Sequence, residues 1–316
     1  MDSRAGFYTE SALKMPHMTD VRANGATLAY EEMGDGEPVI LVHGSASDHR
    51  TWNAQTDALA EQFRVISYSR RYHWPNEAIP EDAHYTMEQH VDDLRALIHS
   101  LDAAPAHLVG NSYGAFLCLL FAIREPYLVR SLVLAEPPVL TLFVSNDPTV
   151  WELLKTLLTR PRTGAGILRL GIQGIAPAKK AFEHGDRETG LRTFVDAVLG
   201  DGAYDRLPEG RSEQVEDNAE SLRAELLGPG FSPLDAGTVQ QMQAPTLLVA
   251  GENSIGLFHR LIDRLEELLP RCERTEIPDA PHTMHEANAP AFNAAVRSFL
   301  EKHPSAEGQF PAARAE

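Results

Sequence analysis

Apolar residues run along this chain in two alternating rhythms. Short β-type runs occur at Thr27–Glu32, Pro38–His43, Arg64–Ser69, Ala106–Asn111 and Ser131–Glu136. Between them lie stretches with helical spacing. Thr51–Phe63 turns Trp52, Leu59 and Phe63 to one side, and Thr86–Leu101 carries the stripe Val91, Leu94, Leu97, Ile98, Leu101. Thr86 and Gln89 suit a capping box at the start of that helix. A further helix is expected over Ser112–Arg124. Gly34-Asp35-Gly36 reads as a hairpin turn joining the first two runs. Strands alternating with helices imply crossover connections and an α/β, doubly wound, mostly parallel sheet.

The rhythm changes at Pro137. From there to about 238 no convincing strand is found, and helical segments at Val150–Leu158, Lys179–Glu183, Thr189–Val198 and Gln214–Leu227 are interrupted by Gly and Pro. The first pattern then resumes: strand Pro245–Ala250, helix Leu257–Leu269, strand Thr275–Pro278 and helix Ala289–Lys302. One core (19–136 and 239–302) with a helical lid (137–238) inserted between two of its strands accounts for this order. Residues 1–18 read as a flexible leader and 303–316, rich in Ala, Pro and Glu, as a disordered tail.

Charge and composition narrow the possibilities. A formal charge of −17 over 316 residues argues against a nucleic-acid groove and against adsorption to anionic membranes. The two cysteines, Cys118 and Cys272, imply no disulfide framework. The N-terminal segment lacks an apolar signal core. A cytoplasmic location, with no nucleic-acid or membrane partner and a homodimer as the one self-association considered, is expected. His107, inside a strand, reads as a hydrogen-bonded structural residue, and Cys118 as a small buried hydrophobe.

The chemistry concentrates at predicted strand ends, where open α/β sheets place their sites. Gly110-Asn111-Ser112-Tyr113-Gly114 sits between the run Ala106–Val109 and an apolar helix. Such a G-x-S-x-G turn strains the serine so that its hydroxyl projects from the sheet edge, and the flanking glycines keep side chains clear of the reversing chain. The N–H of Tyr113, at a helix N-terminus, can then face an oxyanion. His43-Gly44-Ser45 ends an earlier strand and offers the N–H of Ser45 as a second donor. Ala280-Pro281-His282 follows the last strand, so His282 is the candidate base, with His285 its rival. The pair His282-x-x-His285 lacks the further ligands of a zinc site, so no metal and no cofactor is expected. Two strand ends could supply a carboxylate to the histidine: Glu136, or Glu252 in Gly251-Glu252-Asn253-Ser254.

These motifs resemble the α/β-hydrolase superfamily, in the lid-bearing branch that holds carboxylesterases, lactonases, carbon–carbon bond hydrolases, epoxide hydrolases and haloalkane dehalogenases. The resemblance spans about residues 25–302 and is weakest in the lid. Ser69-Arg70-Arg71-Tyr72-His73-Trp74-Pro75 also resembles the family's Arg-Gly-His-Gly-x-Ser loop with its glycines replaced. The family usually carries its acid as Asp where this chain has Ser254, and some members carry it one strand after the nucleophile, where Glu136 stands. The resemblance therefore implies a triad of Ser112, His282 and Glu136, with Glu252 as the alternative acid. Asn253 and Ser254 would then fill the vacated position with polar contacts. Epoxide hydrolases and dehalogenases use Asp at the elbow, so Ser112 implies acyl transfer to water on an ester or lactone with an apolar acyl part. A carbon–carbon bond hydrolase is one alternative. A non-hydrolytic receptor, lyase or cyclisation catalyst of the same fold is the other, which the displaced acid and the altered Arg70–Trp74 loop would suit. Apolar residues such as Trp151, Leu154, Leu158, Leu170, Ile172, Phe182 and Phe194 are available to line the acyl pocket or pack the lid, and His73 and Trp74 could border its entrance.

Overall fold

A computed structural model describes residues 18–80 and 83–304. All but three residues of the expected leader and tail (18, 303 and 304) lie outside this range. Eight strands, β1 (Thr19–Ala23), β2 (Ala26–Met33), β3 (Glu37–Val42), β4 (Phe63–Tyr68), β5 (Ala106–Asn111), β6 (Val129–Ala135), β7 (Thr246–Gly251) and β8 (Cys272–Ile277), form one sheet. Their spatial order is β1-β2-β4-β3-β5-β6-β7-β8. The β1–β2 and β2–β4 pairs are antiparallel, and the rest are parallel.

The hairpin expected at Gly34-Asp35-Gly36 is not formed. Strand β4 lies between β2 and β3, so the turn connects strands that are not paired. Burial explains this: β3 is apolar on both faces and sits inside the sheet, with parallel neighbours on each side. The true hairpin joins β1 to β2 through Asn24-Gly25, whose φ values of 49° and 75° match a two-residue turn needing positive φ at both positions. Strand β1 was not foreseen, because Thr19–Ala23 is short, polar and at the sheet edge.

Alternate residues of the central strands feed two cores. Ile40 and Val42 join one face with Leu94, Leu97, Phe116 and Leu265, while Val39 and Leu41 join the other with Trp52, Phe292 and Phe299. The flanking helices are α1 (Asn53–Leu59), α2 (Met87–Ser100) and α3 (Tyr113–Arg124). Thr86 caps α2 by accepting from the Gln89 N–H, 3.2 Å away.

Between β6 and β7 the described residues form helices joined by loops, with no strand. They form α4 (Val150–Thr159), α5 (Pro161–Arg169), a π-helical turn (Leu170–Ile175), α6 (Ala176–Glu183), α7 (Arg187–Leu199), α8 (Glu209–Asp217), α9 (Ala219–Leu227) and α10 (Ala236–Gln240). Helix α5 was read as an interruption. Pro161 instead occupies its first turn, where the missing N–H has no intrahelical partner to lose. The helix expected over Gln214–Leu227 breaks at Asn218, whose side chain turns back to Asp48 and the Gln214 carbonyl. A third cluster, including Phe182, Leu191, Val195 and Leu222, packs these helices together and takes in Ala46 from the loop after β3. Trp151, Leu154, Leu158 and Ile172 face outward and line no pocket at Ser112. The chain ends with α11 (Gly256–Leu268), α12 (Met284–Ala287) and α13 (Ala289–Glu301). Among the described residues no helix is long and apolar enough to cross a membrane.

Candidate active site

Four strand ends meet at one edge of the sheet. Ser112, between β5 and α3, has φ 53° and ψ −121°, a conformation an L-residue adopts only under strain of order 1–3 kcal/mol. The turn is enforced by packing, since a Cβ on Gly114 would lie 2.2 Å from the Val42 carbonyl oxygen. The strand pairing continues to its base, where the Ser112 N–H donates to the Ala135 carbonyl at 2.8 Å.

Glu136 follows β6 with φ 46° and is fully buried. Its Oε2 lies 2.5 Å from His282 Nδ1. The same oxygen accepts from Ser254 Oγ at 3.0 Å, and Oε1 accepts from the Gly251 N–H at 2.9 Å. Ser254, standing where an aspartate was sought, thus supports the carboxylate that comes from the neighbouring strand. A carboxylate can only accept, so His282 carries its proton on Nδ1 and presents a lone pair at Nε2. That nitrogen is buried and has no protein partner. Phe258 stacks on the imidazole at 4.0 Å between ring centres, and the Asn111 side chain holds the His282 carbonyl at 3.1 Å. Glu252 is exposed; its carboxylate accepts from the Asp279 N–H and makes no contact with His282.

His285, the rival base, is buried against Thr51 Oγ1 at 2.9 Å, and burial pushes its imidazole down to about 4. It also lines the cavity at Ser112. His107 bonds Ser131 Oγ at 2.7 Å inside the sheet, as read from the sequence. Among the described residues no group of three or more acidic, histidine or cysteine side chains is assembled to hold a metal.

The loop after β3 brings Ser45 beside Ser112. Its peptide unit is held from the carbonyl side: Gly44 O lies 2.9 Å from His43 Nδ1 and 3.0 Å from Arg70 Nη2. His43 Nε2 accepts from the Arg70 backbone N–H, so Nδ1 is the donor. Because the peptide is planar and trans, anchoring its C=O fixes its N–H in the opposite direction. Among the described residues neither the Ser45 nor the Tyr113 N–H has a hydrogen-bond acceptor.

Two partly open lobes share Ser45 and Ser112. One, of about 40 Å³, is lined by His282, His285, Thr51 and Arg211. The other, of about 80 Å³, is lined by Tyr113, Phe194, Phe231, Phe258 and Leu261, with Glu225 as its one charged residue. His73 and Trp74, expected at the entrance, line neither lobe. His73 is buried between the Ser47 carbonyl and Tyr85 Oη, each 2.8 Å away, and Trp74 stacks on His49. The Arg70–Trp74 loop is spent on such contacts. Arg71 pairs with Asp93 at 2.5 Å, and Arg70 with Glu225 at 2.7 Å. Arg70 was marked only as part of an altered loop, and its pairing with Glu225 escaped sequence reasoning because 155 residues separate them and nothing local marks the glutamate.

Comparison with known proteins gives the family. Over 123 residues the chain is 32% identical to an uncharacterised hydrolase of Bacillus subtilis, covering 39% of this chain and 45% of the relative. Over 303 residues it is 25% identical to the bifunctional epoxide hydrolase 2 of Sus scrofa, covering 88% of this chain and 54% of that one. The chain thus spans about half the length of these two relatives. A solved thermophilic esterase from Thermogutta terrifontis superposes with a TM-score of 0.71 at 21% identity, over 92% of this chain and all of that one, which is a likeness of fold. Residues 39–295 match the model of the alpha/beta hydrolase family, and the chain belongs to that family.

Proposed function

We propose that this protein is a serine hydrolase that cleaves a small carboxylic ester or lactone through an acyl-enzyme. The observation that carries the reading is the buried contact of His282 Nδ1 with Glu136, which leaves Nε2 as a free acceptor at the cavity Ser112 lines. Ser112 Oγ attacks the carbonyl carbon while Nε2 takes its proton. The N–H groups of Ser45 and Tyr113 bind the oxyanion, and Glu136 stabilises the imidazolium. Collapse of the tetrahedral intermediate expels the leaving oxygen, which takes the proton from Nε2. Water, deprotonated by the same nitrogen, then releases the acid.

The leaving group must reach Nε2 to be protonated, so it occupies the lobe lined by His282. The acyl group occupies the larger apolar lobe on the other side of Ser112. Segment 137–238 acts as the lid, since Phe194 and Val198 contribute to both lobes.

The test is hydrolysis of p-nitrophenyl butyrate by wild type and Ser112→Ala. Wild type should turn over, and the variant should lose at least about 10³-fold in kcat with its circular dichroism unchanged. A variant that keeps turnover removes Ser112 from the chemistry.

A further inference from the structure

The triad does not use the buried ion pair beside it. Arg70 Nη2 and Glu225 Oε1 are 2.7 Å apart, with the arginine side chain fully buried and the glutamate 4% exposed. Arg70 comes from the loop after β4 and Glu225 from α9, so the pair crosses from the core to the helical insertion. Arg70 faces inward, with Nη1 on Tyr85 Oη at 3.1 Å, Nη2 also on the Gly44 carbonyl, and the guanidinium 4.4 Å from the Tyr113 ring centre. Glu225 alone of the two lines the acyl lobe.

The charge state of this cluster follows from its contacts. Burial, the largest single influence, would raise the Glu225 carboxyl, but Arg70, His73 and the Ser45 hydroxyl together outweigh it and hold the group down to about 2. Burial lowers His73, reinforced by the charge of Arg70, and it lowers His90 likewise. These imidazoles are neutral at pH 7, so the pair is one anion in front and one cation behind. Among the described residues lining the lobe, every other side chain is uncharged.

We propose that Glu225 sets the charge selectivity of the acyl lobe, admitting neutral acyl groups and rejecting those that end in a carboxylate. The inference rests on the serine-ester reading above. An acyl carboxylate entering the lobe meets a like charge at close range without bulk water, while Arg70 is already committed to Glu225, Tyr85 and Gly44. Like charges about 5 Å apart repel at an effective dielectric of about 20, and the Arg70 cation about 3 Å further back cancels part of that, which leaves about a tenfold bias.

The experiment compares methyl butyrate with monomethyl succinate, which share the ester bond and four acyl carbons and differ in a terminal methyl or carboxylate. Methanol release gives kcat/KM for each. Wild type should favour methyl butyrate by about tenfold, and Glu225→Gln should abolish or reverse that preference, because Arg70 then lacks its counter-charge. If Glu225→Gln does not fold, wild type is assayed on methyl 4-aminobutyrate, which puts a cation where monomethyl succinate puts an anion. It should be cleaved at least about tenfold better than monomethyl succinate, and equal rejection of the two charges overturns the selectivity. A wild type that cleaves both esters equally overturns the selectivity alone, as does a folded variant with an unchanged ratio. A wild type that cleaves neither overturns the ester reading, and the selectivity falls with it.

Discussion

Replacing Glu136 with glutamine keeps the shape of the side chain and changes one atom from acceptor to donor, so its consequences can be worked from the contacts. Oε1 accepts from the Gly251 N–H at 2.9 Å, and Oε2 accepts from His282 Nδ1 at 2.5 Å. A glutamine that keeps its oxygen on Gly251 turns its NH₂ towards Nδ1. The imidazole must then accept at Nδ1 and carry its proton on Nε2, where it can no longer take one from Ser112. The opposite flip preserves the useful tautomer but sets NH₂ against the Gly251 N–H in a buried site. Two orphaned donors cost about 1–3 kcal/mol each, so at about 4 kcal/mol in total the productive tautomer falls to about one molecule in 10³. Losing the negative charge that stabilises imidazolium brings the expected drop in kcat to about 10⁴-fold, the scale of the corresponding Asp→Asn change in a serine protease triad. Steady-state hydrolysis of p-nitrophenyl butyrate by wild type, Glu136→Gln and Glu252→Gln measures it. Glu252 is exposed, and its carboxylate accepts from the Asp279 N–H in the loop after β8, so its variant should stay within about twofold of wild type. A Glu136→Gln enzyme within tenfold of wild type, or a larger loss in Glu252→Gln, refutes the assignment of the acid.

Two further outcomes follow from burial and volume. His107 and His285 are each held down to about 4 by burial, with His43, His73 and His90 lowered in the same sense. A histidine whose folded value is depressed contributes full stability above its unfolded value of about 6.5 and loses it as pH falls from there towards 4. At pH 5 the loss is about 2 kcal/mol each for His107 and His285. The urea midpoint should therefore drop between pH 7.5 and pH 5, and a midpoint that holds or rises contradicts the neutral buried imidazoles. The acyl lobe of about 80 Å³ has room for about six water-sized groups at about 10–15 Å³ each. Across p-nitrophenyl esters from acetyl to dodecanoyl, kcat/KM should peak near butyryl or hexanoyl, whereas equal activity on dodecanoyl would mean that the helical insertion opens widely.

Much of the molecule can be read from local pattern alone. Continuous apolar runs marked β3, β5, β6 and β7, because strands buried on both faces need nothing else. Helix α2 announced itself by its stripe and its threonine cap. Ser112, His282 and Glu136 were legible as candidates because each ends a strand, and chain order with strand-end position is information a sequence carries. Strand pairing is not of that kind. Gly34-Asp35-Gly36 and Asn24-Gly25 are both good turn signals, and only the lateral insertion of β4 decides that the second makes the hairpin. The insertion was read as broken helix for a related reason: Pro161 ends one helix or starts the next, according to what the second can pack against.

The electrostatics of the site belong wholly to tertiary structure. Glu136 and Glu252 are both strand-end glutamates in sequence. Their difference is that one is buried with a backbone N–H, a serine and an imidazole around it, and the other faces water. Arg70 and Glu225 likewise gain their meaning from a contact across 155 residues. Periodicity and turn chemistry act between neighbours in the chain, so the sequence by itself determined which segments become strands and helices and which residues stand at strand ends. Charge–charge interaction and burial act between neighbours in space, so only the folded chain decided which of those residues meet, and in which protonation state.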